Sequence, residues 1–181
     1  MIVLFPLVLF VLLQSYWFVL RTFYGYEIGT DFGMAQRQLE RALETHNPDY
    51  CNRIIVTSLM PGPARYDLVN GCYDGYATET GDVSLCMGVL DPGGCVMGIA
   101  KDRNDSSLCE KAIDPRRPET DRRGSCFGYF AGKEKDYGYC ERLKGLPEFR
   151  EGLLNECRHA YYDATGDASF YAEDIRKSLE K

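Results

Sequence analysis

The chain opens on twenty positions without a charged side chain, MIVLFPLVLFVLLQSYWFVL, and the first charge appears at Arg21. An apolar run of this length predicts one helix able to cross a hydrocarbon core, which takes about 20 residues. Gln14 and Ser15 are its polar exceptions. Tyr16 and Trp17, then Tyr24 and Tyr26, fall where interfacial aromatics belong. No basic segment leads the run and no small-residue cleavage site comes after it, so residues 1–24 read as a retained transmembrane helix rather than a signal peptide. Residues 25–36 read as a connector.

Beyond the connector the long apolar run gives way to short helical patterns cut by polar turns. In GCVMGIAKDRNDSSLC, Cys95, Ile99 and Asp102 keep helical spacing, and Asn104-Asp105 offers a cap for a second helix. The same layout occurs in GCYDGYATETGDVSLC and SCFGYFAGKEKDYGYC. Each leading cysteine (72, 95, 126) is followed by a small residue (Ala77, Ala100, Ala131), an aspartate (82, 105, 136) and a trailing cysteine (86, 109, 140) in one register. Two incomplete copies extend it. RQLERALETHNPDYC runs from Arg37 through Ala42, with Asp49 near the turn, to Cys51. CRHAYYDATGDASFY runs from Cys157 through Asp167 to Tyr171. Leading positions 37, 72, 95, 126 and 157 define a repeat with intervals of 35, 23, 31 and 31 residues.

Each copy reads as a helical hairpin, with Pro48 and Pro147 in first helical turns and linkers rich in Pro, Gly and charge. Strand signals are nearly absent. The expected fold is all-α: a transmembrane helix followed, over residues 37–181, by a short α-solenoid of about five disulfide-linked hairpins.

Eight cysteines at regular spacing favour a disulfide framework in an oxidising compartment. Pairing within each copy leaves Cys51 and Cys157 over, at opposite ends of the array. Pairing across copies joins Cys51 to Cys72, Cys86 to Cys95, Cys109 to Cys126 and Cys140 to Cys157. It uses every thiol and accounts for the one cysteine missing from each end copy. Offsets along a hairpin also favour this scheme, because Cys72 lies ten residues before Asp82 and Cys86 only four after it. From Arg37 to Lys181 the arrangement resembles disulfide-stapled helix-pair repeats, relatives of the tetratricopeptide and Sel1-like arrays. That resemblance implies a protein-binding scaffold.

Charge adds one exclusion. A net charge of −6 and a pI near 5.0 provide no basic field for nucleic acid. The one basic cluster, Arg116, Arg117, Arg122 and Arg123, is a candidate docking patch, against the simpler reading of a solvated loop interleaved with Asp114, Glu119 and Asp121. Asn104-Asp105-Ser106 is a glycosylation sequon.

Catalytic and cofactor chemistry finds little support. No C-x-x-C pair occurs, and the only histidines are His46 and His159. Zinc, haem and iron–sulfur sites are therefore not expected. Cys157 and His159 are close enough to suggest a nucleophile and its base, but a bridged cysteine cannot attack. No glycine-rich phosphate loop is present. The expected function is that of a non-enzymatic, single-pass membrane protein without a cofactor. Its helical-repeat domain lies on the extracytoplasmic side and serves as a structural or protein-binding accessory subunit, with other proteins and the bilayer (through residues 1–20) as partners. The alternative is a pilin-like filament subunit, although Phe5 stands where such pilins usually carry glutamate.

Overall fold

A computed structural model describes residues 4–29, 33–56 and 63–170, with side chains from Val8 in the first helix and from Tyr66 in the third. The chain is mostly helical. Its α-helices are α1 (Leu4–Tyr24), α2 (Gly33–Thr45), α3 (Pro63–Thr80), α4 (Pro92–Asp102), α5 (Arg123–Glu134), α6 (Gly138–Glu141) and α7 (Glu151–Thr165). Short 3-10 helices cover Pro48–Arg53, Val83–Gly88, Ser106–Lys111, Pro118–Thr120 and Arg142–Gly145. The chain forms two compact units, Met1–Thr80 and Gly81–Lys181.

The hairpin expectation needs refinement. After α2, α3 and α4 the second arm is a six-residue 3-10 helix, and after α5 it is the brief α6 continued by Arg142–Gly145. Its shortness has a local cause. A cap residue opens the arm, and the trailing cysteine, four positions later, anchors it before a longer helix can propagate. Pro48 does occupy the first turn of such an arm. Pro147 does not: α7 starts only at Glu151, and the Pro147 carbonyl accepts a hydrogen bond from Arg123 Nη1 at 2.9 Å.

In the first unit, part of the expected connector has regular structure, in Glu27–Gly29 and from Gly33 onward. Strand β1 (Glu27–Gly29) pairs in parallel with β2 (Ile54–Val56), in register Glu27↔Ile54, Ile28↔Ile55 and Gly29↔Val56. Two three-residue strands are thus a small exception to an all-helical chain. The core beneath them gathers Met34 of α2, Cys51, Ile54 of β2, and Leu68 and Cys72 of α3, with Leu39, Val69 and Tyr73 packed against it. Met34, Gln38 and Ala42 repeat at helical spacing and form the buried face of α2.

In the second unit the closest packing joins α5 to α7. A Cβ on Gly128 would lie 2.6 Å from Ala160 Cβ and 3.1 Å from Cys157 Cα, and one on Gly132 would lie 2.5 Å from Ala164 Cβ. The absence of side chains here lets the helix backbones approach. Phe127 and Phe130 of α5, and Leu153, Leu154 and Tyr161 of α7, fill the space on either side.

Among the described residues no helix is long and apolar enough to cross a membrane. A membrane-spanning role for residues 1–24 is an expectation from the sequence alone.

The α5–α7 contact is directly testable. Gly128→Ala should destabilise the second unit by about 1–3 kcal/mol, since two helices must separate to admit one methyl group. Gly152→Ala in α7, where nothing lies within 4 Å, should be neutral or stabilising by up to about 1 kcal/mol. Thermal unfolding of both variants provides the comparison, and equal melting temperatures would refute the close approach.

Candidate functional site

The feature that recurs along the chain is a turn followed by a bridge. Nine residues after each leading position stands a residue with positive φ: His46 (52°), Gly81 (71°), Asn104 (52°), Lys135 (55°) and Gly166 (72°). This left-handed step ends the helix, as glycine or asparagine commonly does. The next residue's amide reaches back to the carbonyl five residues earlier: Asn47 to Ala42 at 2.9 Å, Asp105 to Ala100 at 2.9 Å and Asp136 to Ala131 at 3.0 Å. Ala42, Ala77, Ala100 and Ala131 are all fully buried. A larger side chain at Ala42, Ala100 or Ala131 would push the second arm away from the helix it folds against.

That next residue is also the cap of the second arm. Its side-chain Oδ1 accepts the backbone N–H two positions on, in all five copies. Asn47 takes Asp49 at 3.0 Å, Asp82 takes Ser84 at 3.0 Å, and Asp105 takes Ser107 at 3.0 Å. Asp136 takes Gly138 at 2.8 Å, and Asp167 takes Ser169 at 2.9 Å. In the first copy the capping residue is therefore Asn47, and Asp49 is the donor it serves. Asparagine and aspartate present the same acceptor at this position, which is why a search for aspartate alone passes over Asn47.

The hydroxyls of Ser84 and Ser107 also donate to their caps, at 2.6 and 2.7 Å. The Ser107 hydroxyl and then its N–H hold the Asp105 carboxyl below its ordinary pKa, and the Ser169 N–H followed by its hydroxyl does the same for Asp167.

Four residues beyond each of the first four caps comes the trailing cysteine. The bridges are Cys51–Cys72, Cys86–Cys95, Cys109–Cys126 and Cys140–Cys157, with Cα separations of 5.5, 5.6, 5.5 and 5.6 Å. Each joins the end of one copy to the leading helix of the next. All eight half-cystines are at most 4% exposed, so the bridges belong to the core they close. Cys157 is bridged and cannot serve as a nucleophile for His159.

The arginine cluster does not form one surface. Arg123 is buried against buried Asp121: its Nε donates to Oδ1 at 3.0 Å and its Nη2 to Oδ2 at 2.8 Å. Burial requires that pairing, because a guanidinium leaving water needs a carboxylate and further acceptors. Arg116 and Arg117 converge on fully buried Asp114 at 3.0 and 3.2 Å, and their forks also reach the carbonyls of Val89 and Leu90. The hydrogen bond from Arg116 is the main cause of the lowered pKa of Asp114. Arg122 pairs with Asp91 at 3.0 Å, at the N-cap of α4. The cluster thus ties residues 114–123 to the loop ahead of α4. Arg123 drops out of any docking surface, and the other three keep a partly exposed guanidinium that is already engaged.

A cavity of about 450 Å³ opens beside Arg123, lined by Ile113, Pro115, Pro118 and Pro147 with Glu110 and Glu148. The Arg123 guanidinium is committed to Asp121 and Pro147, which leaves that wall without a free charge. Asn104 is exposed, and its side-chain oxygen accepts from Lys133 Nζ. Its positive φ identifies it as a helix-ending residue whether or not the sequon is used. Among the described residues, no group of three or more His, Cys, Asp or Glu side chains could hold a metal ion.

No protein-family model matches the chain, and no curated protein or solved structure is significantly similar to it.

The caps predict a pH response. Because the folded-state pKa of Asp105 lies below its ordinary value of 3.8, its contribution to stability is complete above that value. It is lost as pH falls through the depressed pKa. Asp105→Asn should preserve the cap and neutral-pH stability while flattening the acid limb of the stability profile below about pH 4. Asn47→Ala should cost about 1 kcal/mol at every pH, since it removes the acceptor without removing a charge. Urea unfolding across pH 2–7 distinguishes the two, and identical acid limbs for wild type and Asp105→Asn would contradict the assignment.

Proposed function

We propose that this is a non-enzymatic, single-pass membrane protein whose disulfide-stapled helical repeats form an extracytoplasmic scaffold. In this reading the domain is a structural or protein-binding accessory subunit of a larger membrane assembly. The observation that carries it is the uncovered state of α1. Val8, Phe10, Leu12 and Phe18 are 49, 61, 61 and 65% exposed. An apolar helix that its own domain leaves bare is matched by lipid or by another apolar surface. Its 21 residues amount to about 31 Å of helix, close to the thickness of a hydrocarbon core.

Four bridges supply the compartment argument, because such bonds persist where glutathione does not reduce them. The short solenoid is the finer reading of the recurrent turn and bridge, and the likeness to helix-pair scaffolds suggests binding of proteins. The absence of a free thiol and the commitment of the buried charges to structural pairs give catalysis little to work with. A filament subunit with α1 in a polymer core draws on the same bare helix.

Fractionation and thiol labelling test the proposal together. The full chain should resist extraction by alkaline carbonate, yield to detergent with its partner proteins, and show eight cysteines protected from alkylation when denatured without reductant. Eight alkylated thiols, or release by carbonate, would refute it. Recovery of the chain in sheared polymers would favour the filament.

A further inference from the structure

We propose that the C-terminal end of α1 carries a basic collar that binds the phosphate headgroups of anionic phospholipids. This rests on the membrane reading of α1.

Three arginines meet around the end of α1, and a fourth stands one turn before it. Arg21 lies one turn before the end of α1, on an exposed face, and makes no ion pair with a described residue. Arg53 Nη1 donates to the carbonyl of Tyr24, the last residue of α1, at 2.7 Å. Arg41 Nη1 donates to the carbonyl of Gly25 at 3.1 Å. Both of these guanidinium nitrogens lie within 4 Å of the point where a Cβ on Gly25 would sit, so two cations converge on the helix end. Arg37 joins them from α2, bonded through Nε to Glu27 Oε2 at 3.3 Å.

The balancing charge is unequal in amount and in position. Glu27, paired with Arg37 and Arg41, is the carboxylate in ion-pair contact with the group among the described residues. Its side chain is only 4% exposed, whereas those of Arg37 and Arg41 are 43 and 39% exposed. The negative charge is therefore covered while the positive forks face outward.

Capping the α1 carbonyls and favouring the negative end of the helix dipole gives Arg41 and Arg53 a structural task. That task engages one terminal nitrogen of each fork, Arg53 also lies 4.0 Å over the Tyr50 ring, and Arg21 takes no part in it. Exposed aromatic side chains occur over the last three turns of α1. Tyr16, Phe23 and Tyr24 are 57, 74 and 58% exposed. On another face of the helix a groove of about 370 Å³ is lined by Gln14, Trp17, Phe18, Arg21 and Ile28. Exposed aromatic rings and planar cations together near the end of an apolar helix match the groups that gather at a bilayer surface. Arginine forks suit phosphate oxygens in particular.

A positive flank normally stays on the cytoplasmic side, but that rule is weighted by short loops, and a long folded domain translocates largely regardless of its charge. The collar can therefore face the extracytoplasmic leaflet without conflict with the disulfides.

The test uses the full chain reconstituted into vesicles of equal phosphatidylcholine and phosphatidylglycerol. Lipid retained after mild detergent extraction is counted by native mass spectrometry. Phosphatidylglycerol should be enriched over phosphatidylcholine, and the enrichment should fall by about fivefold for each arginine replaced by glutamine at 21, 41 and 53. Arg41→Lys and Arg53→Lys keep the charge without the planar fork and should lose part of the enrichment, less than the glutamine variants do, and Arg21→Gln reports on a residue outside the ion pairs of the described fold. Stable insertion with the two lipids retained at their bulk ratio, or with enrichment unchanged in the glutamine variants, would overturn the collar while leaving the membrane anchor standing. Failure of the wild-type chain to float with vesicles of either composition would overturn both.

Discussion

Everything after the first helix depends on one local constraint: a left-handed residue followed by an asparagine or aspartate cap, placed so that a cysteine arrives four residues later at the next helix. The positive φ turns the chain, the buried alanine lets the second arm fold back, and the cap holds that arm to a turn or two. The bridge then joins it to the following helix. Remove the turn and the cysteine is misplaced; remove the cysteine and the short arm loses its anchor. Neither half holds the arrangement without the other.

This explains how a chain with short helices acquires a stable interior. Six-residue 3-10 arms bury little apolar area, and alanine contributes less than leucine would. The half-cystines occupy positions that large aliphatic residues fill elsewhere, and the bridges close segments of 21, 9, 17 and 17 residues. In a chain-entropy account, each such closure restricts the unfolded state by about 2–4 kcal/mol. Where two helices meet at full length, between α5 and α7, glycine and alanine faces bring the backbones together and phenylalanines pack alongside. Buried charge is handled in a comparable way: Asp114 collects Arg116 and Arg117 from its own loop, and Asp121 pairs with Arg123 at the start of α5 and with Arg150 ahead of α7.

The repeat was legible in the sequence because its register rests on residue types with few substitutes. A cysteine needs a cysteine, and the tight turn admits only a small alanine. Features that rest on interchangeable chemistry were harder to see. Asn47 caps as well as aspartate does, and the left-handed step is taken by His, Gly, Asn and Lys, a set with no common property in the sequence. The strands were missed because three residues cannot display alternation, and β1 carries a glutamate and a glycine. Glu27 is readable as a strand residue only once Arg37 and Arg41 are known to cover its charge. The arginine run suggested a surface because four adjacent cations are usually solvated. Asp121, two residues ahead of Arg123, turned that one arginine inward, whereas Asp114 engages Arg116 at a partly exposed position.

The most direct test of the turn-and-bridge account is a disulfide map of the full chain. Digestion without reductant and mass spectrometry should recover peptides joining Cys51 to Cys72, Cys86 to Cys95, Cys109 to Cys126 and Cys140 to Cys157. A peptide joining Cys72 to Cys86, Cys95 to Cys109 or Cys126 to Cys140 would place both ends of a bridge in one copy and contradict the account.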